Sequence, residues 1–322
     1  MKPYADIVGI GSPCMDLIVN LPYMPEKDGA VGARYFLHQG GGKISTAMAA
    51  AARLGHKAGV IAKVGGDFTG DFIVSDFIYN GVDVSRIIRG APETASPYVL
   101  ALSEAETGTR VFIGRGSSVG YLSAFDLDGD YIKNAKILHL EDGGEAAAAA
   151  AAMAGDSGIT VSIDADAYSA ETEALLPMID IFIGSEFYYK ARHQGIGIKQ
   201  ACEEIRKAGP ETVWFTLGKN GCAGIADGNY YEIPSFEVEV ADTTGAGDVF
   251  HGAYLAAYAE GQSGRDCAVF ASAAAAVKCS YPGGRTGIPD RGTLDRFLKE
   301  GVLDARELDE RLLRYRHEFM RH

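Results

Sequence analysis

The segment Asp242-Thr243-Thr244-Gly245-Ala246-Gly247-Asp248 carries the residues best suited to chemistry in this chain of 322. Gly245-Ala246-Gly247 has almost no side chain, so its main-chain amides can approach a ligand closely. It opens the run Val249–Glu260, which reads as a helix stopped by Gly261. Unpaired amides and the positive end of the dipole make such a helix start favourable for an anion, phosphate foremost. The segment is not a Walker loop, because Lys43 is followed by Ile44 and Lys219 by Asn220. Asp248 would repel a phosphate that it merely bound. It is well placed to take the proton of a hydroxyl attacking a phosphoryl group. A helix cap is the other role open to it.

A second glycine cluster, Gly40-Gly41-Gly42-Lys43, precedes the alanine-rich run Thr46–Leu54. It allows close backbone approach to a small ligand, with Lys43 as a donor; a tight strand-to-helix turn explains the glycines equally well.

The elements that must position these residues alternate. Strands are expected at Ile7–Ile10, Val60–Val64, Ile137–Leu140, Ile159–Ile163, Ile179–Ile183, Val213–Leu217 and Phe236–Val240. Helices are expected at Thr46–Leu54, Ala146–Ala154, Lys199–Lys207, Val249–Glu260 and Asp266–Lys278. This order predicts an α/β fold with a parallel sheet covered on both faces. Polar residues follow strand after strand: Glu141-Asp142, Asp164, Ser185-Glu186, Gly218-Lys219 and Asp242. Ligands of open α/β sheets bind beyond the strands' carboxyl ends, so these residues outline one cleft. The regions at about 17–38 and 96–116 break the alternation and read as two hairpins, able to pair into a small sheet over a site.

Composition narrows the function. Thirty basic against 43 acidic residues give a net charge of −13, which disfavours nucleic acid and anionic membrane as partners. No run of about 18 apolar residues occurs, so no transmembrane helix is expected. Five scattered cysteines, never spaced CxxC, argue against a disulfide framework or a zinc site and for a reducing cytoplasm.

Over about residues 5–300 the sequence resembles the ribokinase-like, or PfkB, family of carbohydrate kinases. The resemblance is carried by Gly41-Gly42-Lys43 through Ala51-Ala52-Arg53-Leu54-Gly55, and by Asp242-Thr243-Thr244-Gly245-Ala246-Gly247-Asp248-Val249-Phe250-His251-Gly252. It implies one kinase domain with a three-layer α/β/α fold, a mostly parallel central sheet and a small β-sheet lid that often mediates homodimerisation. It also implies ATP as phosphoryl donor, Mg²⁺, and a monosaccharide acceptor. Asp248 would be the base, and the amides of Gly245, Ala246 and Gly247 the anion hole. Asp16, Gly42, Lys43, Thr46 and Glu141 match sugar-contacting positions. Thr216, Gly218, Lys219 and Gly221, with Ser185 and Ser272, match the nucleotide site. The family's Asn-x-x-Glu motif, linked to Mg²⁺ and phosphate, falls on Ser185-Glu186-Phe187-Tyr188, where its glutamate is either displaced to Glu186 or lost. Asp242 and Thr244, with carbonyls of Tyr281, Gly283 and Gly287, match a monovalent-cation loop, implying K⁺.

Departures refine the expectation. Ribose kinases carry asparagines where this chain has Cys14 and Thr46, so two amides that read hydroxyls are missing. The run Lys278–Pro289 looks most like the ketohexose and sulfofructose kinase branch. The expected reaction is therefore γ-phosphoryl transfer to a primary hydroxyl of a ketose or modified ketose. A ribose or nucleoside kinase, or a non-catalytic sugar-binding sensor, are the alternatives. Arg115, after a lid strand, is a candidate reader of an anionic sugar substituent.

Other features are set aside. Gly9-Ile10-Gly11 lacks the third glycine of a dinucleotide fingerprint. His251 reads as a packed or exposed helix residue, and Trp214 as core. Beyond residue 300, Leu308, Leu312, Tyr315 and Phe319 share one helical stripe, expected to pack back on the domain or to meet another subunit.

Overall fold

The structure, a computed structural model, describes residues 5–104 and 110–317. Its strands are β1 Ile7–Ile10, β2 Cys14–Leu21, β3 Tyr35–Gly41, β4 Ala58–Val64, β5 Asp83–Arg89, β6 Tyr98–Glu104 and β7 Arg110–Arg115. They continue with β8 Ile137–Leu140, β9 Thr160–Ala165, β10 Ile181–Ser185, β11 Thr212–Thr216, β12 Cys222–Ala226 and β13 Asn229–Ile233. The helices are α1 Lys43–Arg53, α2 Phe68–Tyr79, α3 Gly129–Lys133, α4 Glu145–Gly155, α5 Ala170–Leu175 and α6 Glu186–Arg192. After these come α7 Ile198–Ala208, α8 Ala246–Ala259, α9 Gly264–Cys279, α10 Arg291–Glu300 and α11 Arg306–His317.

A nine-stranded sheet runs β13-β12-β11-β10-β9-β8-β1-β4-β5. It is parallel except at the β11-β12-β13 edge. Side chains alternate between its faces. Ile7 and Ile137 join the core beneath α1, α8 and α9, while their neighbours Val8 and Leu138 join the core beneath α4 and α7. Burial on both faces is why these strands read as unbroken apolar runs. The alanines let the helices close in: a Cβ at Gly252 of α8 would lie 2.1 Å from the carbonyl oxygen of Ala47 in α1.

The two expected hairpins form one four-stranded sheet, β3-β2-β6-β7, joined by parallel pairing of β2 with β6. Its first return strand, β3, begins at Tyr35 and runs on to Gly41, which delivers the chain straight into α1. Helix α11 packs against β3, with Leu308 and Tyr315 fully buried and Leu312 partly so; Phe319 of the expected stripe lies outside the described residues.

One expected strand is corrected. Phe236–Val240 belongs to neither sheet, although its alternation is strand-like. Phe236 and Val238 pack on the helical core, Phe236 against Phe297 of α10, so a helical layer satisfies the pattern instead of a neighbouring strand.

Candidate active site

The segment after Val240 is fastened before it turns. The amides of Ala241 and Asp242 donate to the Cys279 carbonyl at 2.8 and 3.1 Å. Asp242 Oδ1 accepts the Thr244 amide, and Oδ2 the Gly283 amide, both at 2.8 Å. Gly245 then caps α8 at φ 75°, a left-handed conformation that favours glycine. A Cβ there would also sit 3.0 Å from Gly284 Cα. No side chain caps α8. The Ala246 amide folds back onto the Thr243 carbonyl at 3.2 Å, so of the three amides expected in the cradle this one is already engaged. Gly247 and Asp248 stand at the second and third helical positions, where amides have no intrahelical partner. A Cβ at Gly247 would meet nothing within 4 Å, so the mouth is open.

That mouth borders a cavity of about 900 Å³. Every residue expected to contact nucleotide lines it: Ser185, Thr216, Gly218, Lys219, Gly221 and Ser272. So do Gly245, Ala246, Gly247, Asp248 and Glu186. The Ser185 hydroxyl is occupied locally, donating to the Asp166 carbonyl at 2.6 Å and accepting two amides at the start of α6. The segment wrongly expected as a strand supplies Phe236, Val238 and Val240 to the wall. Glu186 reaches Lys190 at 2.6 Å, and its neighbour on the wall, Asp166, is exposed. One or two carboxylates at a rim suit Mg²⁺, which keeps several waters and leans on phosphates.

Residues expected to meet sugar gather where β1, β3 and β8 end and β2 begins. Glu141 Oε2 accepts the Ser12 amide at 2.6 Å, and Gly11 leaves room for that carboxylate, since a Cβ would lie 2.1 Å from it. Lys43 Nζ reaches Asp142 Oδ2 at 2.8 Å and the Glu141 carbonyl at 3.3 Å. Asp16 lies against Gly41, where a Cβ would come within 2.3 Å of its carboxylate. Cys14 Sγ donates to Asp16 at 3.2 Å, and Thr46 Oγ1 donates to the Gly42 carbonyl at 2.9 Å. Both positions where ribose kinases carry asparagine are thus turned onto the protein itself.

The contacts of Arg115 go to other residues. Its Nη2 donates to Asp67 at 2.9 Å, to Thr69 at 3.3 Å and to the Ser96 carbonyl at 2.9 Å. Asp67 already balances its charge, and the contact ties lid strand β7 to the start of α2.

Burial pushes the Asp248 carboxyl up to about 6; Asp166 and Asp16 add to this, while Arg285 and Lys43 oppose it. Burial likewise takes Glu141 up to about 7, against the Ser12 amide and Lys43. A carboxyl displaced toward neutrality is what a general base working near pH 7 requires.

Three features escaped the sequence reading. Arg285 is 1% exposed and pairs through Nε with Asp76 Oδ2 at 3.0 Å, while Tyr315 donates to the other Asp76 oxygen at 2.8 Å. Arg311 of α11 clamps the Arg285 carbonyl at 2.9 Å. Beneath Lys43, His251 Nε2 lies 3.5 Å from Asp164 Oδ1, and its ring stands 5.2 Å from that of His139. Burial holds His139 down to about 3 and His251 well below the ordinary range, so both are neutral. Third, buried Lys278 donates to the Asp242 carbonyl at 2.8 Å. A Lys in an alanine-rich helix or an Arg in a glycine loop gives no sequence signal of burial.

Residues 5–291 match the model of the pfkB family of carbohydrate kinases. A nucleoside kinase of Methanothermobacter thermautotrophicus is 26% identical over 93% of this chain and 98% of its own. A 5-dehydro-2-deoxygluconokinase of Clostridium perfringens is 27% identical over 92% and 93%. The Arabidopsis thaliana ribokinase complexed with ribose and ATP superposes with a TM-score of 0.79 at 25% identity, covering 93% of this chain and 99% of that one. The chain belongs to the pfkB carbohydrate kinase family. It has the ribokinase-like fold, with the four-stranded sheet as its lid, and it is a phosphotransferase of the sugar and nucleoside kinase kind.

Proposed function

We propose that the protein transfers the γ-phosphoryl group of ATP to a primary hydroxyl of a monosaccharide, a ketose or modified ketose. The observation that carries this reading is the position of Asp248. It borders the nucleotide cavity beside the glycine cradle and shares its field with Lys43 and Asp16 on the acceptor side.

In this reading Asp248 accepts the proton of the attacking hydroxyl, and the amides at the start of α8 face the charge on the migrating group. Lys43 offsets negative charge at Glu141, Asp142 and Asp248. Asp16 and Glu141 orient the acceptor by hydrogen bonds to its hydroxyls. Lid closure over the acceptor excludes water and limits wasteful hydrolysis of ATP. Mg²⁺ bound with ATP, near Glu186 and Asp166, would neutralise the phosphate oxygens. The ketose preference is supported by Cys14 and Thr46, which replace amide readers and are spent internally. Ribose and nucleosides are the second reading, supported by the names of the relatives.

Assembly through the lid is part of the proposal. Phe36, Val111, Phe112 and Ile113 expose apolar surface on the lid, and β7 is an edge strand able to accept a partner. Among the described residues no helix is long and apolar enough to cross a membrane.

The test is a panel of ketoses, aldoses, phosphosugars, sulfosugars and nucleosides assayed with ATP and Mg²⁺ for coupled ADP release. Turnover of a ketose above the others supports the proposal; turnover confined to nucleosides or ribose replaces it.

A further inference from the structure

The family resemblance implies a monovalent cation beneath the anion cradle, held by Asp242 and neighbouring carbonyls. The residues present do not suit one. Both carboxylate oxygens of Asp242 accept main-chain amides, from Thr244 and Gly283, at 2.8 Å. Its carbonyl oxygen accepts Lys278 Nζ at 2.8 Å. Lys278 has no solvent exposure and stands in the last turn of α9. Burial pushes the Asp242 carboxyl up, yet the Lys278 charge and the amides outweigh it and hold the group below its ordinary range.

Both carboxylate oxygens and the carbonyl of Asp242 are therefore already engaged by donors of the chain itself. Lys278 already brings one positive charge to the partly buried Asp242, and a second cation beside it would meet that charge's repulsion. Lys278 also stands where two loops cross. Its own carbonyl accepts the Tyr281 amide at 3.2 Å, and a Cβ at Gly287 would come within 2.4 Å of that oxygen. The Cys279 carbonyl holds the amides of Ala241 and Asp242, and Gly284 abuts Gly245.

We propose that Lys278 is a tethered replacement for the monovalent cation: its ammonium fixes the Asp242–Gly245 turn against the Gly283–Gly287 loop, and catalysis needs no K⁺. The inference rests on the reading of the α8 start as the phosphoryl cradle. Lys278 acts through Asp242 and the turn, so it is a positioning residue.

The experiment compares wild type and Lys278→Met in buffers of constant ionic strength whose monovalent cation is either K⁺ or tetramethylammonium, reading both the initial rate and the melting temperature. Wild type is expected to show the same rate within about twofold and the same melting temperature in both salts, because no ion binds to add stabilisation. Lys278→Met is expected to lose about tenfold or more in kcat in tetramethylammonium, the scale of a disturbed anion hole. K⁺ should restore part of that rate and raise the variant's melting temperature.

Strong K⁺ activation of wild type, or a K⁺-dependent rise in its melting temperature, overturns the proposal. So does a Lys278→Met enzyme that is fully active and indifferent to K⁺. If the variant does not fold, the wild-type arms still decide. The melting arm also separates this inference from the assigned reaction, since it reads cation binding even if no sugar in the panel is phosphorylated.

Discussion

Tyr315 Oη donates to Asp76 Oδ1 at 2.8 Å, and the other oxygen of the same carboxylate holds Arg285 at 3.0 Å. The C-terminal helix thereby reaches the charge that most strongly favours ionised Asp248. All three side chains are buried, so the hydrogen bond is made away from competing water. Tyr315→Phe should keep the ring packing and lose about 1.5–3 kcal/mol, the range for a bond to a charged group. Urea unfolding reads this directly. Asp76→Ala should cost more, about 3–5 kcal/mol, because it strands a buried guanidinium.

On the proposed function, Asp248→Asn removes the proton acceptor while keeping shape. Turnover should fall at least about 10²-fold, with ATP binding nearly unchanged by calorimetry. A variant that keeps most of its activity would reduce Asp248 to a helix residue without a chemical role.

The upward displacement of Asp248 sets a pH profile. A general base acts when deprotonated, so on the proposed function kcat/KM should climb through a limb near pH 6 and level off above it. Lys43 opposes the displacement, so Lys43→Met should move the limb to higher pH. Stability carries the opposite sign. The folded state favours the protonated carboxyl, so this group's contribution is full below the ordinary value of 3.8 and is lost as pH rises through about 6. Asp248→Asn should remove that dependence, visible as a smaller fall in melting temperature over the same interval.

Arg115→Ala breaks a partly exposed ion pair with Asp67, whose worth is about 0–1 kcal/mol. Selectivity between neutral and anionic sugars should not change, as measured by kcat/KM ratios. A selective loss of anionic substrates would return Arg115 to the acceptor site.

Much of this architecture was legible because parallel strands buried on both faces leave apolar runs. Ile7–Ile10 and Ile137–Leu140 form strands at the bounds expected. The hairpin of β12 and β13 was missed although Asp227-Gly228 joins it, with φ of 50° and 75°, the geometry of a tight two-residue turn. Its first strand, Cys-Ala-Gly-Ile-Ala, is small and weakly β-forming, so the turn signal stood without a persuasive flank. Phe236–Val240 failed in the other direction, since period-two alternation records a buried side and not what covers it. The ion pair of Asp76 with Arg285 joins residues 209 apart, and the contact of Lys278 with Asp242 depends on how α9 returns to the cradle. Such pairings belong to tertiary structure, and local pattern carries no trace of them.

The bare meeting of Gly245 with Gly284 has an evolutionary corollary. On the Gly245 side a methyl group would crowd Gly284 Cα at 3.0 Å on a backbone whose φ of 75° already disfavours side chains, so that side cannot be retuned by small steps. Diversification toward new acceptors in this scaffold must therefore proceed from the opposite wall, among the residues that greet the sugar, while the phosphate side stays frozen.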